Sequence, residues 1–322
     1  MKKFALGMML MAAACGNAAG ENDVESMGEQ RGALVGAPLD PHHPFAVGLC
    51  VGPLQADGSC PTGGANTTRC SATLIAPNLV LTARHCVERM VAVDPNDSCG
   101  SAFNGVLINA SMHVTTDSTV LRPGAEWYTV QSSEGPSGNN SCIDDLAFLT
   151  LDRNVTGVRP AGVDLFTNVA ERPPSSVAIV GRGAIHARWD TETGTRIEYD
   201  NGNLERRKLE AIPFVCAPTQ LGDCSIVDYF QFSSHTFDVR PGLMSYGRAS
   251  ISGDSGSGVF SQAAFAKGRY FVIATNTLGA IDAEGLPRGS HGVRLQPHAD
   301  YIRTVARAAA AKGQYPAPLW AR

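Results

Sequence analysis

The chain has little charge and few aromatic residues: 17% of its 322 residues are Asp, Glu, Lys or Arg, and 7% are Phe, Trp or Tyr. The formal net charge is −4. A basic patch is missing, which argues against a nucleic-acid partner. The apolar run at residues 4–14 is far shorter than the ~20 residues a membrane-spanning helix needs. No CxxC pair and no Cys/His cluster occurs among the nine cysteines, which weighs against zinc. Long helical patterns are scarce and no internal repeat is present. Glycine and proline are plentiful instead, at 34 and 19 residues.

The N-terminus reads as an export signal. Met1-Lys-Lys is a short positive region, the apolar run follows, and Ala12-Ala-Ala-Cys15 closes it. That ending resembles a bacterial lipoprotein signal, with Cys15 lipidated as the new first residue. An ordinary secretory signal with an incidental cysteine is the alternative. Setting Cys15 aside leaves eight cysteines, an even number that suits disulfides in an oxidising compartment. Residues 16–33 are small, polar and acidic without apolar periodicity, and read as a tether or propeptide. The expected location is exported: an outer-membrane lipoprotein, periplasmic or extracellular, touching membrane only through that lipid.

Short strand-like runs recur between turn-rich stretches. They lie at residues 44–50, 71–83, 105–108, 127–130, 146–151, 176–180, 229–232, 258–260, 270–274 and 291–295. This spacing predicts an all-β chain of barrels or a sandwich. One helix is expected, over residues 297–312. Ile302, Val305 and Ala309 share a face there, and Gly313 ends it.

Three segments carry chemistry: Leu81-Thr-Ala-Arg-His-Cys86, Asp144-Asp-Leu-Ala-Phe-Leu149 and Gly253-Asp-Ser-Gly-Ser-Gly258. A serine hydroxyl needs a base to take its proton and a carboxylate to orient that base. His85, Asp145 and Ser255 supply these roles. The adjacent Asp144 is assigned to the surface or a turn, and Arg84 has no evident role.

The order His, Asp, Ser, together with these segments, resembles the trypsin-like serine proteases, in particular exported bacterial members. The resemblance spans residues 34–312, between a signal at 1–15, the tether at 16–33 and a tail at 313–322. It implies two packed antiparallel β-barrels (chymotrypsin-like) with a C-terminal helix, dividing near residues 155–175. It also implies a Cys70–Cys86 bridge behind the histidine loop. Cys50–Cys60, Cys99–Cys142 and Cys216–Cys224 are the further expected pairs, although connectivity is not readable from sequence. The backbone N–H groups of Gly253 and Ser255 would form the oxyanion hole. Leu34-Val-Gly-Ala resembles the family's mature N-terminus, whose freed amine would pair with Asp254.

The substrate pocket implied by the resemblance has Ala249 and Ser250 at its floor. Thr275 and Thr277 lie on one wall, with Thr275 near Asp145, and Gly292 lies on the other. No carboxylate is present there, so a neutral residue before the scissile bond is expected. Arg294 is expected to face solvent; turned inward, it would favour Glu or Asp instead. The activity implied is endopeptidase cleavage of polypeptides through an acyl-enzyme, by a monomer needing no metal or organic cofactor. The rivals are a catalytically silent binding protein on a protease scaffold and an esterase on an α/β sheet. Motif order and the scarcity of helices argue against the esterase.

Overall fold

A computed structural model describes residues 37–322, except 65, 94–98, 100, 190–195, 201, 231–232, 248, 251 and 282–286. The expectations for Cys15, Leu34 and the leader at 1–33 fall outside the described residues.

The first half contributes β1 (Ala46–Val51), β2 (Thr68–Ala76), β3 (Leu79–Thr82), β4 (Glu88–Ala92), β5 (Ser101–Leu107), β6 (Met112–Thr115), β7 (Tyr128–Glu134) and β8 (Ala147–Leu151). Six of these close an antiparallel barrel in the order β1-β2-β3-β8-β7-β6, while β4 and β5 form a separate hairpin. The register puts Val47, Leu49, Leu74, Val80, Val114 and Leu149 on one face of its strands and Leu79, Leu81 and Phe148 on the other, and all are buried, Phe148 against Tyr301 of the C-terminal helix. A closed barrel leaves no sheet edge to protect, which suits strands this short.

The second half contributes β9 (Gly162–Val163), β10 (Ser176–Gly181), β11 (His186–Trp189), β12 (Arg196–Asp200), β13 (Arg207–Cys216), β14 (Ser225–Phe230), β15 (Ser233–Asp238), β16 (Leu243–Tyr246), β17 (Gly258–Ser261), β18 (Phe271–Ile281) and β19 (Pro287–Arg294). The second barrel runs β17-β10-β13-β16-β19-β18 and closes through β17–β18, with β9 added in parallel at β18. Val177, Ile179, Met244, Tyr246, Val259 and Ile273 pack inside it. The two antiparallel barrels match the expected all-β architecture.

Two hairpins, β11–β12 and β14–β15, stand outside the barrels. Three barrel strands, β6, β13 and β16, were not anticipated. β13 hides in the sequence because it contains Pro213, and because Ala211 adopts φ 55° at an irregularity in the ladder. That turn is held by Gln262, whose side-chain oxygen takes the Ala211 N–H at 2.8 Å.

Helix α1 (Gln262–Phe265) is a single turn. Helix α2 (Ala299–Gly313) follows a 3-10 turn over Gln296–His298 and buries Ile302, Val305, Ala306 and Ala309. It ends at Gly313 as expected, but the left-handed residue that follows is Gln314, at φ 56°. Gly313 serves packing instead, since a Cβ there would lie 2.5 Å from Tyr315 and 2.7 Å from Asn154. Asn154 and Asn78 donate to the Gly313 and Ala309 carbonyls, capping the helix end from the first barrel. Beyond the helix, Trp320 is buried against the core.

All four cysteine pairs form as expected: Cys50–Cys60, Cys70–Cys86, Cys99–Cys142 and Cys216–Cys224.

The seam between the barrels carries two buried cations. Arg182 follows β10 and is 2% exposed. It donates to the carbonyls of Ser118 at 2.6 Å, Ala46 at 3.1 Å and Asp117. Burial, and the nearby Arg206 charge, bring its pKa down to about 9. Arg206 donates to the Asp40, Ala46 and Thr116 carbonyls. Its carboxylate partner Asp40 also binds His43 Nδ1 at 2.8 Å. These guanidiniums stitch the strand ends of one barrel to the loops of the other. Arg182→Met removes the donors and leaves carbonyls buried, each costing ~1–3 kcal/mol. Denaturant unfolding with disulfides intact is expected to show a loss of about 2–5 kcal/mol. An unchanged midpoint would show that those carbonyls find other partners.

Candidate active site

His85 lies in a 3-10 turn, Arg84–Cys86, directly after β3. The Cys70–Cys86 bridge ties this turn to β2. Asp145 precedes β8, which pairs with β3 in the register Thr82↔Ala147. The ladder between the two strands therefore brings the carboxylate beside the imidazole. Asp145 grips His85 twice: Oδ1 accepts the backbone N–H at 2.8 Å and Oδ2 meets Nδ1 at 2.7 Å. A carboxylate only accepts here, so Nδ1 carries the proton and Nε2 is left as an acceptor.

The Asp145 side chain is 1% exposed, against 20% for His85. Burial works against the imidazolium, but the Asp145 charge and its hydrogen bond outweigh it. The His85 pKa is raised above 6.5.

Ser255 sits in the turn before β17 and is half-buried. The turn needs two glycines with positive φ, Gly253 at 97° and Gly256 at 87°. Gly256 is doubly constrained: a Cβ there would fall 2.1 Å from the Ser71 carbonyl and from Thr82 Oγ1. Ser71, next to Cys70, fastens the turn to the first barrel. Its N–H faces the Gly253 and Ser255 carbonyls at 3.0 and 2.9 Å. Its hydroxyl donates to Gly253 O at 2.9 Å and accepts the Arg182 N–H at 2.8 Å. Cys86 Sγ also lies 3.8 Å from Ser255 O, so the histidine-loop disulfide touches the serine backbone. Among the described residues, no backbone carbonyl takes the N–H of Gly253 or Ser255.

The Ser255 hydroxyl donates to the Thr277 carbonyl at 3.5 Å. Thr277 lies at an irregularity of β18, between Asn276 and Leu278. From there the strand runs on to Gly279, where a Cβ would come within 2.6 Å of the Ser250 carbonyl. β18 thus connects the serine to the expected pocket floor. Ala249 and Ser250 are buried and both donate backbone N–H groups to Ser290 Oγ on β19. Gly292 pairs with Asn276 across the β18–β19 ladder. Thr275 is fully buried, and its hydroxyl has no hydrogen-bond partner among the described residues.

Arg294 departs from expectation. It is 6% exposed, and its guanidinium reaches Pro218 O at 3.2 Å and Asn168 Oδ1 at 3.4 Å. It faces neither solvent nor the Ser250 cluster, because a backbone carbonyl and an amide engage its two terminal nitrogens elsewhere. His291 was not anticipated. It is buried beside Gly292, meets Ser245 Oγ at 2.7 Å through Nδ1, and its pKa is pushed down to about 4 by burial.

Asp254 is fully buried, and its Oδ1 accepts the Gly183 N–H at 2.7 Å. The approach is close: a Cβ on Gly183 would sit 2.2 Å from that carboxylate. Gly181-Arg-Gly183, not singled out from the sequence, is the glycine-flanked segment that could have marked this loop. Its counterpart Leu34 lies outside the described residues. Cys70, His85 and Cys86 cluster closely enough to suggest metal ligands, but the two sulfurs are bonded to each other.

No curated protein matches the chain. The solved structure "Structure of GrC" is similar in fold, with a TM-score of 0.52 and 16% identity over 84% of this chain and 98% of that one. The family model for trypsin matches residues 50–291, a span that holds both barrels' central strands and all three of the chemical segments. The chain belongs to the trypsin family of serine peptidases.

Proposed function

We propose that the chain is an endopeptidase acting through an acyl-enzyme, with Ser255 as nucleophile, His85 as general base and acid, and Asp145 as its orienting carboxylate. The observation that carries this reading is the pair of hydrogen bonds that Asp145 accepts from His85, which leaves Nε2 as acceptor. Rotation of the Ser255 side chain exchanges the long contact to Thr277 for one to His85; such bonds are often unmade before substrate arrives. Ser255 Oγ then attacks the scissile carbonyl, and its proton passes to His85 Nε2. The oxyanion is received by the N–H groups of Gly253 and Ser255. His85 returns the proton to the leaving amine, and water, deprotonated in the same way, releases the acyl group.

Ser255→Ala is expected to lower kcat by a factor on the order of 10⁴–10⁶ without loss of fold. In the wild type, kcat/KM falls as His85 protonates. Because its pKa is raised above 6.5, the acidic limb is expected above that pH. Full peptidase activity in the Ala variant ends the proposal.

A neutral residue before the scissile bond is the proposed preference. Ala249 brings no charge, Arg294 is engaged elsewhere, and His291 is neutral at ordinary pH. Thr277 takes up space on the wall, so Ala, Val or Leu are expected to be cleaved faster than Phe. Discrimination is roughly 1–3 kcal/mol per misfit methylene. Parallel assays of peptides with Ala, Leu, Phe, Lys and Glu at that position test it, and fastest cleavage after Lys contradicts it.

The proposed setting is an exported, disulfide-bonded precursor carrying a lipid on Cys15 and activated by a cut before Leu34. By the family resemblance, the new amine would pair with the buried Asp254. Mass spectrometry of the N-termini reads both steps. A lipid-bearing Cys15 is expected in the membrane fraction and Leu34 in the active form. An unmodified start downstream of Cys15 in freshly exported protein contradicts the lipid. Full activity with residues 16–33 retained contradicts the cut.

A further inference from the structure

The residue before His85 is an arginine, and its surroundings give it a use. The Arg84 guanidinium forks onto Glu88, with Nε to Oε2 at 2.7 Å and Nη2 to Oε1 at 3.2 Å. Nη1 donates to the carbonyls of Gly138 at 2.7 Å and Pro136 at 3.2 Å. Its carbon lies 4.5 Å from the centroid of the Phe103 ring. Arg84 and Glu88 side chains are only 13% and 11% exposed. One side chain therefore joins three segments: the turn that carries His85, the β4–β5 hairpin, and the loop that leads to Asp145.

Each of those segments is itself tightened around the contact. Glu88 Oε1 also accepts the Gly105 N–H at 2.6 Å, closing the hairpin onto its own base. The loop comes close because it carries glycines. A Cβ on Gly135 would meet Arg84 Nε at 3.1 Å, and one on Gly138 would meet Asp144 Oδ2 at 2.2 Å. Asp144 is the turn residue expected from sequence: its carboxylate takes the Asn140 N–H at 3.0 Å. Cys142 bonds to Cys99, so the stretch just before Asp145 returns to the hairpin end. The bidentate pair also offsets the Arg84 charge beside His85, where a lone cation would oppose the imidazolium.

We propose that Arg84 is a positioning residue that fixes the separation of His85 from Asp145. This rests on the protease reading above. Lysine cannot replace it, because an ammonium lacks the planar fork that serves a carboxylate and two carbonyls at once. Misplacing a reacting group by about 1 Å costs up to ~10²-fold in rate.

The test compares the full-length enzyme with Arg84→Met, Arg84→Lys and Glu88→Gln. Three quantities are read: kcat and KM on a peptide amide, the rate at which a fluorophosphonate labels Ser255, and the downfield proton resonance of His85 Nδ1–H. Arg84→Met and Arg84→Lys are both expected to lower kcat and labelling about 10–100-fold. KM should hold within about twofold, and the resonance should be broadened or lost. Glu88→Gln keeps the shape, weakens the fork, and gives a smaller loss of the same kind. It decides the matter if the Arg84 variants do not fold. Wild-type labelling and an intact resonance in a folded variant overturn the proposal, as does full rescue by lysine. A wild-type enzyme that fluorophosphonate does not label points to failure of the protease reading instead. The resonance still reports the His85–Asp145 geometry in that case, because it needs no reaction at Ser255.

Discussion

The site depends on one join between barrels, made at Ser71. The proposed base and its carboxylate belong to the first barrel and the proposed nucleophile to the second, so the proposed chemistry requires that two separately closed sheets keep a fixed register. Ser71 provides it from within β2, the strand that also bears Cys70. Its N–H and hydroxyl hold the Gly253 and Ser255 carbonyls. The carbonyls of Ser252 and Asp254, whose peptides carry the Gly253 and Ser255 N–H groups, are held within the second barrel, by Ala184 N–H and by Ser257 and Asn276. The Ser71 hydroxyl also accepts the Arg182 N–H and so links the turn to the loop whose Gly183 holds Asp254. Thr82 donates to the Ser71 carbonyl from the strand that ends at the histidine turn. A handful of short hydrogen bonds thus connects all the candidate groups, and the absence of a side chain at Gly256 is what lets them close.

Charge around the site is paired or spread over carbonyls. Asp145 faces an imidazole, Arg84 faces Glu88, and Asp40 lies between His43 and Arg206. Arg182 and Arg294 use backbone carbonyls instead. A buried ion pair is rarely a net gain in stability over apolar packing, but breaking one is costly. Such groups therefore make geometry expensive to alter. That suits the alignment of nitrogen and oxygen that the proposed reaction needs.

The parts of this account legible in the sequence are those written as contiguous motifs. His85, Asp145 and Ser255 each sit in a short apolar or glycine-rich frame, and the barrel order brings the first two together through the β3–β8 ladder. The helix over the C-terminus was visible because its apolar spacing is regular. β13 was not, because Pro213 and the turned backbone at Ala211 break the alternation that marks a strand. The roles of Arg84, Arg182 and Arg294 were not legible either. Their partners are mostly main-chain carbonyls far along the chain, such as Ser118 and Ala46 for Arg182, and a carbonyl has no identity in sequence. The contact of Thr277 with Ser255 depends on an irregularity in β18 that only pairing with β19 creates.

The claim that the turn fastened by Ser71 presents the Gly253 and Ser255 N–H groups to a reacting oxygen is tested most directly by a crystal structure of a fluorophosphonate adduct. The account predicts phosphorus on Ser255 Oγ, with the phosphoryl oxygen about 2.7–3.1 Å from both the Gly253 and Ser255 nitrogens. It also predicts that the Ser71 contacts to Gly253 and Ser255 stay in place. An adduct on another residue would contradict it, as would an oxygen out of reach of both N–H groups while those contacts stay intact.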